Sequence, residues 1–299
     1  MKNKNSRLLF AVLLLSAVLL SALPMRGFAK TVMMRVGILC LASLGVYICY
    51  AVSHMMILCQ AGFLAVGAYT AGVILKALKP AGAFASMGLA VLGAVFAGLL
   101  VSWLLSFAIL RLQGDYFSMA TIGAGEVLRI FFQNCEPLGS ASGLYNIPQR
   151  TQPVLSMCLL AACTLFFIRM EGGWMFQKFR AVKSDLQAAQ SIGIPVVRQR
   201  RTALMLCAAL GALAGALMAG QNGFISPSDF TFLRSMDCVA AVVIGGFSSP
   251  VGTVLAAGGL ELTTILFQMF SEIRMILYGV LLIGAAWYRS SKNRQRKEA

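Results

Sequence analysis

The chain has 299 residues, of which 59% are hydrophobic and only 12% charged, with a mean hydropathy of +0.81. Soluble domains carry roughly 25% charge, so this composition excludes an ordinary soluble domain and points to a polytopic membrane protein. The net charge of +15 does not call for nucleic acid, because the positive residues gather at the two ends and in one polar stretch, where positive-inside orientation and anionic lipid account for them.

In chain order, Lys2, Lys4 and Arg7 precede an apolar run from Leu8 to Leu23. The run has the layout of a secretory signal peptide, but SALPMRGFAK after it lacks a small-x-small cleavage pattern, which favours a retained first span. Arg26, Lys30 and Arg35 then fall outside if residues 1–7 are inside, a local exception to the charge bias. Val36 to Cys59 is the expected second span and Gln60 to Leu78 the third. In the third, Gly62, Gly67 and Gly72 recur every five residues beside Tyr69; such glycines either permit close helix packing or mark a helix broken around a substrate. Ala83 to Leu110 repeats the spacing with Gly88, Gly93 and Gly98.

Tyr116 to Phe132 is the next span, and it carries Glu126 and Arg129, three residues apart and able to pair on one face. An ionisable residue inside a span is a functional candidate; the alternative is a self-satisfied pair, with Arg129 near the far interface. Asp115, just before it, either lies near a gate or pairs with Arg111 at the interface. Gln133 to Gln152 is a turn-rich loop, Pro153 to Ile168 a span, Thr202 to Gly220 another, and Gln221 to Arg234 a second loop on the same side as the first. Met236 to Phe270 exceeds one span, and GGFSSPVG (Gly245 to Gly252) divides it, the short first half beginning in the preceding loop or entering part-way. Met275 to Trp287 is the last span, followed by a basic tail over residues 289–299. The fold expected is an all-α, polytopic transmembrane helical bundle of about 8–10 spans with both ends cytoplasmic. Residues 1–299 form a single transmembrane domain, with a cytoplasmic loop at residues 169–201.

That loop holds Arg169, Lys178, Arg180, Lys183, Arg198, Arg200 and Arg201 against Glu171 and Asp185. Val182, Leu186, Ala189 and Gly193 recur at helical spacing, and Pro195 ends the run. The expectation is a helix of about three turns on the cytoplasmic side. It either rests on lipid headgroups or docks a soluble partner, and the small residues Ala188, Ala189 and Gly193 favour docking.

The eight cysteines form no CxxC pair and the single histidine, His54, has no acidic neighbour in sequence, so no metal site or redox motif is indicated. There is no GxxxxGK[ST] run, no voltage-sensor helix, no TVGYG filter and no intramembrane proton relay. A membrane protein without energy chemistry of its own, yet with a docking helix, suggests transport powered by another subunit; the alternative is an ATP-independent secondary transporter, which predicts ion-coupling charges in the spans, where Glu126, Asp237 and Glu261 are few and scattered.

Five stretches carry a family resemblance. They are Cys59 to Gly72; Leu110-Arg111-Leu112-Gln113-Gly114-Asp115-Tyr116 through Thr121, Gly123, Gly125 and Glu126; Gly139 through Gly143, Leu144, Ile147 and Pro148; Ala188-Ala189-Gln190-Ser191-Ile192-Gly193-Ile194; and Ile225 to Ser235 with Val243 to Gly252. Together they resemble the inner-membrane permease subunits of ABC importers for branched-chain amino acids, specifically the M-type subunit. Departures are Cys59 for the first glycine of the third-span motif, Ser140 and Ala141 where glycine is common, and Asp185 as the one acidic residue before Ala188-Ala189. The resemblance implies a pair of permeases, separate ATPase subunits that bind ATP, and an external substrate-binding protein, with no cofactor or metal on this chain. It implies ATPase coupling through Asp185, Leu186, Ala188, Ala189 and Gly193. It places a translocation path or gate near Gly62, Gly67, Tyr69, Gly114, Asp115, Tyr116 and Glu126, and binding-protein contacts at Gly143, Leu144, Pro148 and Pro227. Relatives of such permeases serve urea, short amides or sugars.

Overall fold

The computed structural model describes residues 27–52, 55–79, 82–112, 114–170, 173–246 and 249–266. The expected first span at residues 8–23, the last span at 275–287, the basic tail and His54 lie outside the described residues. Ten α-helices follow in order: α1 (Gly27–Tyr47), α2 (Gln60–Ala77), α3 (Ala83–Ile109), α4 (Asp115–Asn134), α5 (Pro153–Met170), α6 (Trp174–Ser184), α7 (Leu186–Ser191), α8 (Val196–Asn222), α9 (Phe232–Gly245) and α10 (Pro250–Leu266). A π-helical turn, Ile48–Val52, extends α1. Among the described residues five helices are long and apolar enough to cross a bilayer: Gly27–Tyr50, Gln60–Ala77, Ala83–Ile109, Pro153–Met170 and Val196–Asn222. The fold is therefore an all-α membrane bundle, with no strand among the described residues beyond one isolated bridge.

Small residues decide which helices sit at the centre. A methyl group on Gly67 of α2 would overlap the Ala212 carbonyl of α8, and one on Gly215 of α8 would overlap the Leu64 carbonyl of α2. Gly98 of α3 packs against Ala208 and Ala212 of α8. These three helices thus approach backbone to backbone, the geometry that small residues permit where lipid supplies no hydrophobic drive between helices. The core half of α1, Gly37 to Tyr47, is buried all round. By contrast, α3 turns Phe84, Leu92, Phe96, Leu100 and Phe107 outward, an apolar face suited to acyl chains.

The second expected span does not run to Cys59. Its helix ends in the π-turn, and Met55 to Cys59 is non-helical yet mostly buried. Non-helical backbone inside a membrane bundle must find partners in protein. Here Met55 N–H donates to the Cys49 carbonyl at 2.8 Å, Leu58 N–H to Thr121 Oγ1 at 3.2 Å, and Ala61 N–H to Ser235 Oγ at 2.9 Å. So α2 begins inside the bundle. Gln60, fully buried at its first position, donates from Nε2 to the Ala42 carbonyl at 2.9 Å and accepts from the Cys207 thiol at Oε1, also 2.9 Å.

The long run after residue 231 divides as expected. The helix α9 starts at Phe232, inside the preceding loop, and a turn between Gly245 and Gly252 returns the chain as α10. The Cys40 thiol donates to the Val254 carbonyl at 3.4 Å, so α10 starts level with the middle of α1 rather than at its end. The backbones of Gly245 and Gly252 touch, with no room for a side chain on either.

Candidate functional site

The polar segment between α5 and α8 differs from one amphipathic helix of three turns. Asp185 is extended (φ −156°, ψ 122°) and divides it into α6 and α7. Its Oδ1 accepts from the N–H groups of Gln187 at 2.8 Å and Ala188 at 3.2 Å, satisfying two donors that a helix N-terminus otherwise leaves open. The short side chain of Asp serves its own backbone better as a cap than inside a helix. Val182 and Leu186 therefore do not share a helical face. Gly193, at φ +79°, lies beyond the end of α7. Val182, Ala189 and Val196, with Ile194 against them, instead close a small core between α6, α7 and the start of α8.

This segment is clamped to the bundle by Phe176 and Phe179 of α6, both buried with rings 6.4 Å apart. Among the residues expected to couple to an ATPase, Asp185, Leu186, Ala188 and Gly193 are exposed, whereas Ala189 faces inward and is 2% exposed. Arg198, Arg200 and Arg201 were expected in a loop. The structure places them in the first two turns of α8, because Pro195 is the residue immediately before that helix. Arg201 lies over the Phe107 ring at 4.6 Å. Lys183 is held below the usual lysine range by partial burial and by Arg180 nearby.

Near the same end, the start of α4 borders a cleft of about 270 Å³ lined by Tyr50, Met55, Gly114, Asp115, Ser118 and Arg200 among others. Gly114 and Asp115 thus meet at one opening, while Tyr116 points away, 74% exposed. No ion pair joins Arg111 to Asp115 among the described residues. Further along α4, Arg129 Nε donates to Glu126 Oε2 at 2.7 Å and Arg129 Nη1 donates to Gln133 Oε1 at 3.3 Å.

Of the remaining path candidates, Gly62 packs in the α2–α4 seam against Gly125 and Leu128, and Gly67 lies in the α2–α8 seam. Tyr69 is buried, stacked on Phe132 at 4.4 Å with Phe230 tilted at 6.3 Å. All three sit within packed seams of this chain.

At the opposite end the two loops expected as separate segments are joined. Leu144 and Ile225 exchange backbone hydrogen bonds at 2.8 and 3.1 Å, and Ile147 N–H donates to the Gly223 carbonyl at 3.0 Å. Gly143 (φ +86°) has the Ile225 carbonyl where a side chain would stand, so only glycine fits there. Gly143, Leu144 and Pro227 are buried in this joint and Pro148 is half-buried. The surface offered outward comes from Tyr145, Asn146, Ser228 and Asp229 instead. Phe224 packs against the Tyr145 ring at 4.4 Å.

Sequence reasoning missed the Gln60–Ala42–Cys207 knot and the capping hydroxyls of Thr121 and Ser235. A polar residue at the head of an apolar run was the available signal for Gln60. Thr121 and Ser235 carry none, since their partners are remote in sequence.

Comparison with known proteins agrees with this architecture. The family described as branched-chain amino acid transport system/permease component matches residues 28–286. The high-affinity branched-chain amino acid transport system permease protein LivM of Salmonella typhimurium is 31% identical, over 93% of this chain and 72% of the relative. The LivM of Escherichia coli K12 is 30% identical over the same shares. An autoinducer 2 import system permease protein LsrC, from Salmonella paratyphi B, is 28% identical over 73% of this chain and 61% of its own length. No solved structure gives a significant match. The match from residue 28 to residue 286, on a bundle of apolar helices, means that the chain belongs to the family of permease components of branched-chain amino acid transport systems.

Proposed function

We propose that this chain is the M-type permease subunit of an ABC importer that moves branched-chain amino acids inward. Separate ATPase subunits drive it, a second permease subunit completes it and an external binding protein feeds it. The observation that carries the reading is the likeness to LivM along 93% of the chain. In this reading the ends and the α6–α7 segment are cytoplasmic, as the Lys/Arg bias requires. The exposed edge of α7, from Asp185 to Gly193, enters a groove of the ATPase. The clamp at Phe176 and Phe179 transmits closure of the ATPases to α8 and the π-turn, so that transport proceeds by alternating access. The joint of Leu144 and Ile225 receives the loaded binding protein through Tyr145, Asn146, Ser228 and Asp229.

The test is uptake of labelled leucine, isoleucine and valine into cells deleted for the chain and complemented with it. Uptake restored by the chain and abolished by ATP depletion supports the reading. Uptake unaffected by either contradicts it. A second substrate reading, another small polar solute, rests on the likeness to LsrC permeases and on the departures at Cys59, Ser140 and Ala141. Competition by excess unlabelled solutes separates the two.

A further inference from the structure

Among the described residues six helices have 18 or more residues, and α4 is the one of these that is not apolar enough to count as an unaided span. Its 20 residues extend about 30 Å, the thickness of the hydrocarbon core. One side packs through Phe117, Thr121 and Phe132. Between that side and an exposed apolar face, Asp115, Ser118, Ile122, Glu126, Arg129 and Gln133 follow at spacings of three and four, which is one row on a helix. Ile122 is the single apolar member. The row starts in the 270 Å³ cleft shared with Arg200 and continues to the last turn of α4.

Glu126 stands near the middle of this row, next to Gly125, which packs on Cys59 where α2 begins inside the bundle. The side chains of Arg129 and Glu126 are still 25% and 35% exposed in the single chain. An ion pair at mid-depth does not face acyl chains; such groups face a bundle interior or a water-filled cavity. The outward face of α3, made of Leu92, Phe96 and Leu100, shows what a lipid face of this chain looks like. The most exposed face of α4, with Met119, Val127, Ile130 and Phe131, is apolar in the same way, and the polar row runs beside it, half-buried over Ser118 to Arg129.

We propose that the polar row of α4 lines a water-filled solute route, closed on its far side by the second permease subunit, and that Glu126 and Arg129 form the charged pair a zwitterionic solute meets at mid-depth. This rests on the permease reading and deepens it. A solute carrying one ammonium and one carboxylate exchanges partners with such a pair without change in net charge, ammonium toward Glu126 and carboxylate toward Arg129. Passage then stays free of a trapping charge, as a route fed by a high-affinity receptor requires.

The test uses the full chain in native membrane vesicles open to reagent on both faces, with the exposed Cys158 replaced by serine. Single substitutions Ser118→Cys and Ile122→Cys on the polar row of α4 are compared with Leu92→Cys and Phe96→Cys on the outward face of α3. The probes are the cationic ethyltrimethylammonium and the anionic ethylsulfonate methanethiosulfonates. The expected result is modification at the α4 positions and little at the α3 positions. In the Ile122→Cys background, Glu126→Gln lowers the cation-to-anion rate ratio and Arg129→Gln raises it, each by roughly tenfold; Arg129→Lys leaves it near the parent value. Slow modification at all four positions, or a ratio unmoved by either neutralisation, overturns the proposal. Neither outcome bears on uptake, so the permease reading stands or falls separately.

Discussion

At the scale of single residues, two kinds of position hold this bundle together. The first is glycine at points of backbone contact. Gly215 has the Leu64 carbonyl where a side chain would stand, whereas Gly88 has open space around it. Gly215→Ala is expected to force the α2–α8 seam apart and to lower both yield and the unfolding midpoint in detergent. Gly88→Ala is expected to leave them unchanged or to stabilise by up to about 1 kcal/mol through helix propensity. Equal behaviour of the two variants in a thermal-shift series would count against the seam. The second kind is the buried polar knot at Gln60. Gln60→Leu removes the hydrogen bonds to the Ala42 carbonyl and from the Cys207 thiol, and a lost buried hydrogen bond costs about 0.5–1.5 kcal/mol. The expected outcome is a lower unfolding midpoint, measured beside Cys207→Ala, which removes only the weaker thiol bond and should shift it less.

At the scale of elements, the apolar runs announced most helices, because lipid imposes both length and composition on a span. The runs from Ala83, Pro153 and Thr202 hold helices close to where the sequence places them. What hydropathy could not show was structure made by remote partners. Met55 to Cys59 is as apolar as the helix before it, and its departure from helix depends on hydroxyls at Thr121 and Ser235, far along the chain. The joint of Leu144 with Ile225 depends in the same way on segments that are distant in sequence. The polar segment misled for a local reason, since helical spacing persisted across a residue whose own side chain ends the helix. The cap of α7 makes this testable. Asp185→Ala removes two hydrogen bonds from the first turn and should cost about 1 kcal/mol of local stability. Hydrogen exchange should rise over residues 186–191 while α8 stays protected. Gly193→Val places a β-branched side chain at φ +79° with no neighbour to clash with, so insertion into the membrane is expected to be normal and stimulation of the partner ATPase to fall. Normal stimulation at wild-type expression would exclude α7 as the coupling element.

At the scale of the whole molecule, the candidate regions separate by depth and face. The α6–α7 segment lies at one end, the paired loops at the other, and α4 joins the two ends with a row of polar residues beside a core of α1, α2 and α8. The sequence made the Ala188 to Ile194 stretch and the charged pair of α4 legible as residue types. It did not reveal that Gly67 and Tyr69 are occupied in packing while Asp115 and Glu126 remain accessible, since accessibility follows from helix rotation in the assembled bundle. The division of labour fits a subunit that shapes a route and leaves energy and affinity to partners. The measurement that tests this most directly is ATP-driven uptake in proteoliposomes, after purifying the chain with whatever subunits accompany it in mild detergent. The account predicts that an ATPase co-purifies, that its hydrolysis rises with binding protein and branched-chain amino acid, and that Asp185→Ala weakens its attachment. A chain that purifies alone and moves these amino acids without ATP would contradict it.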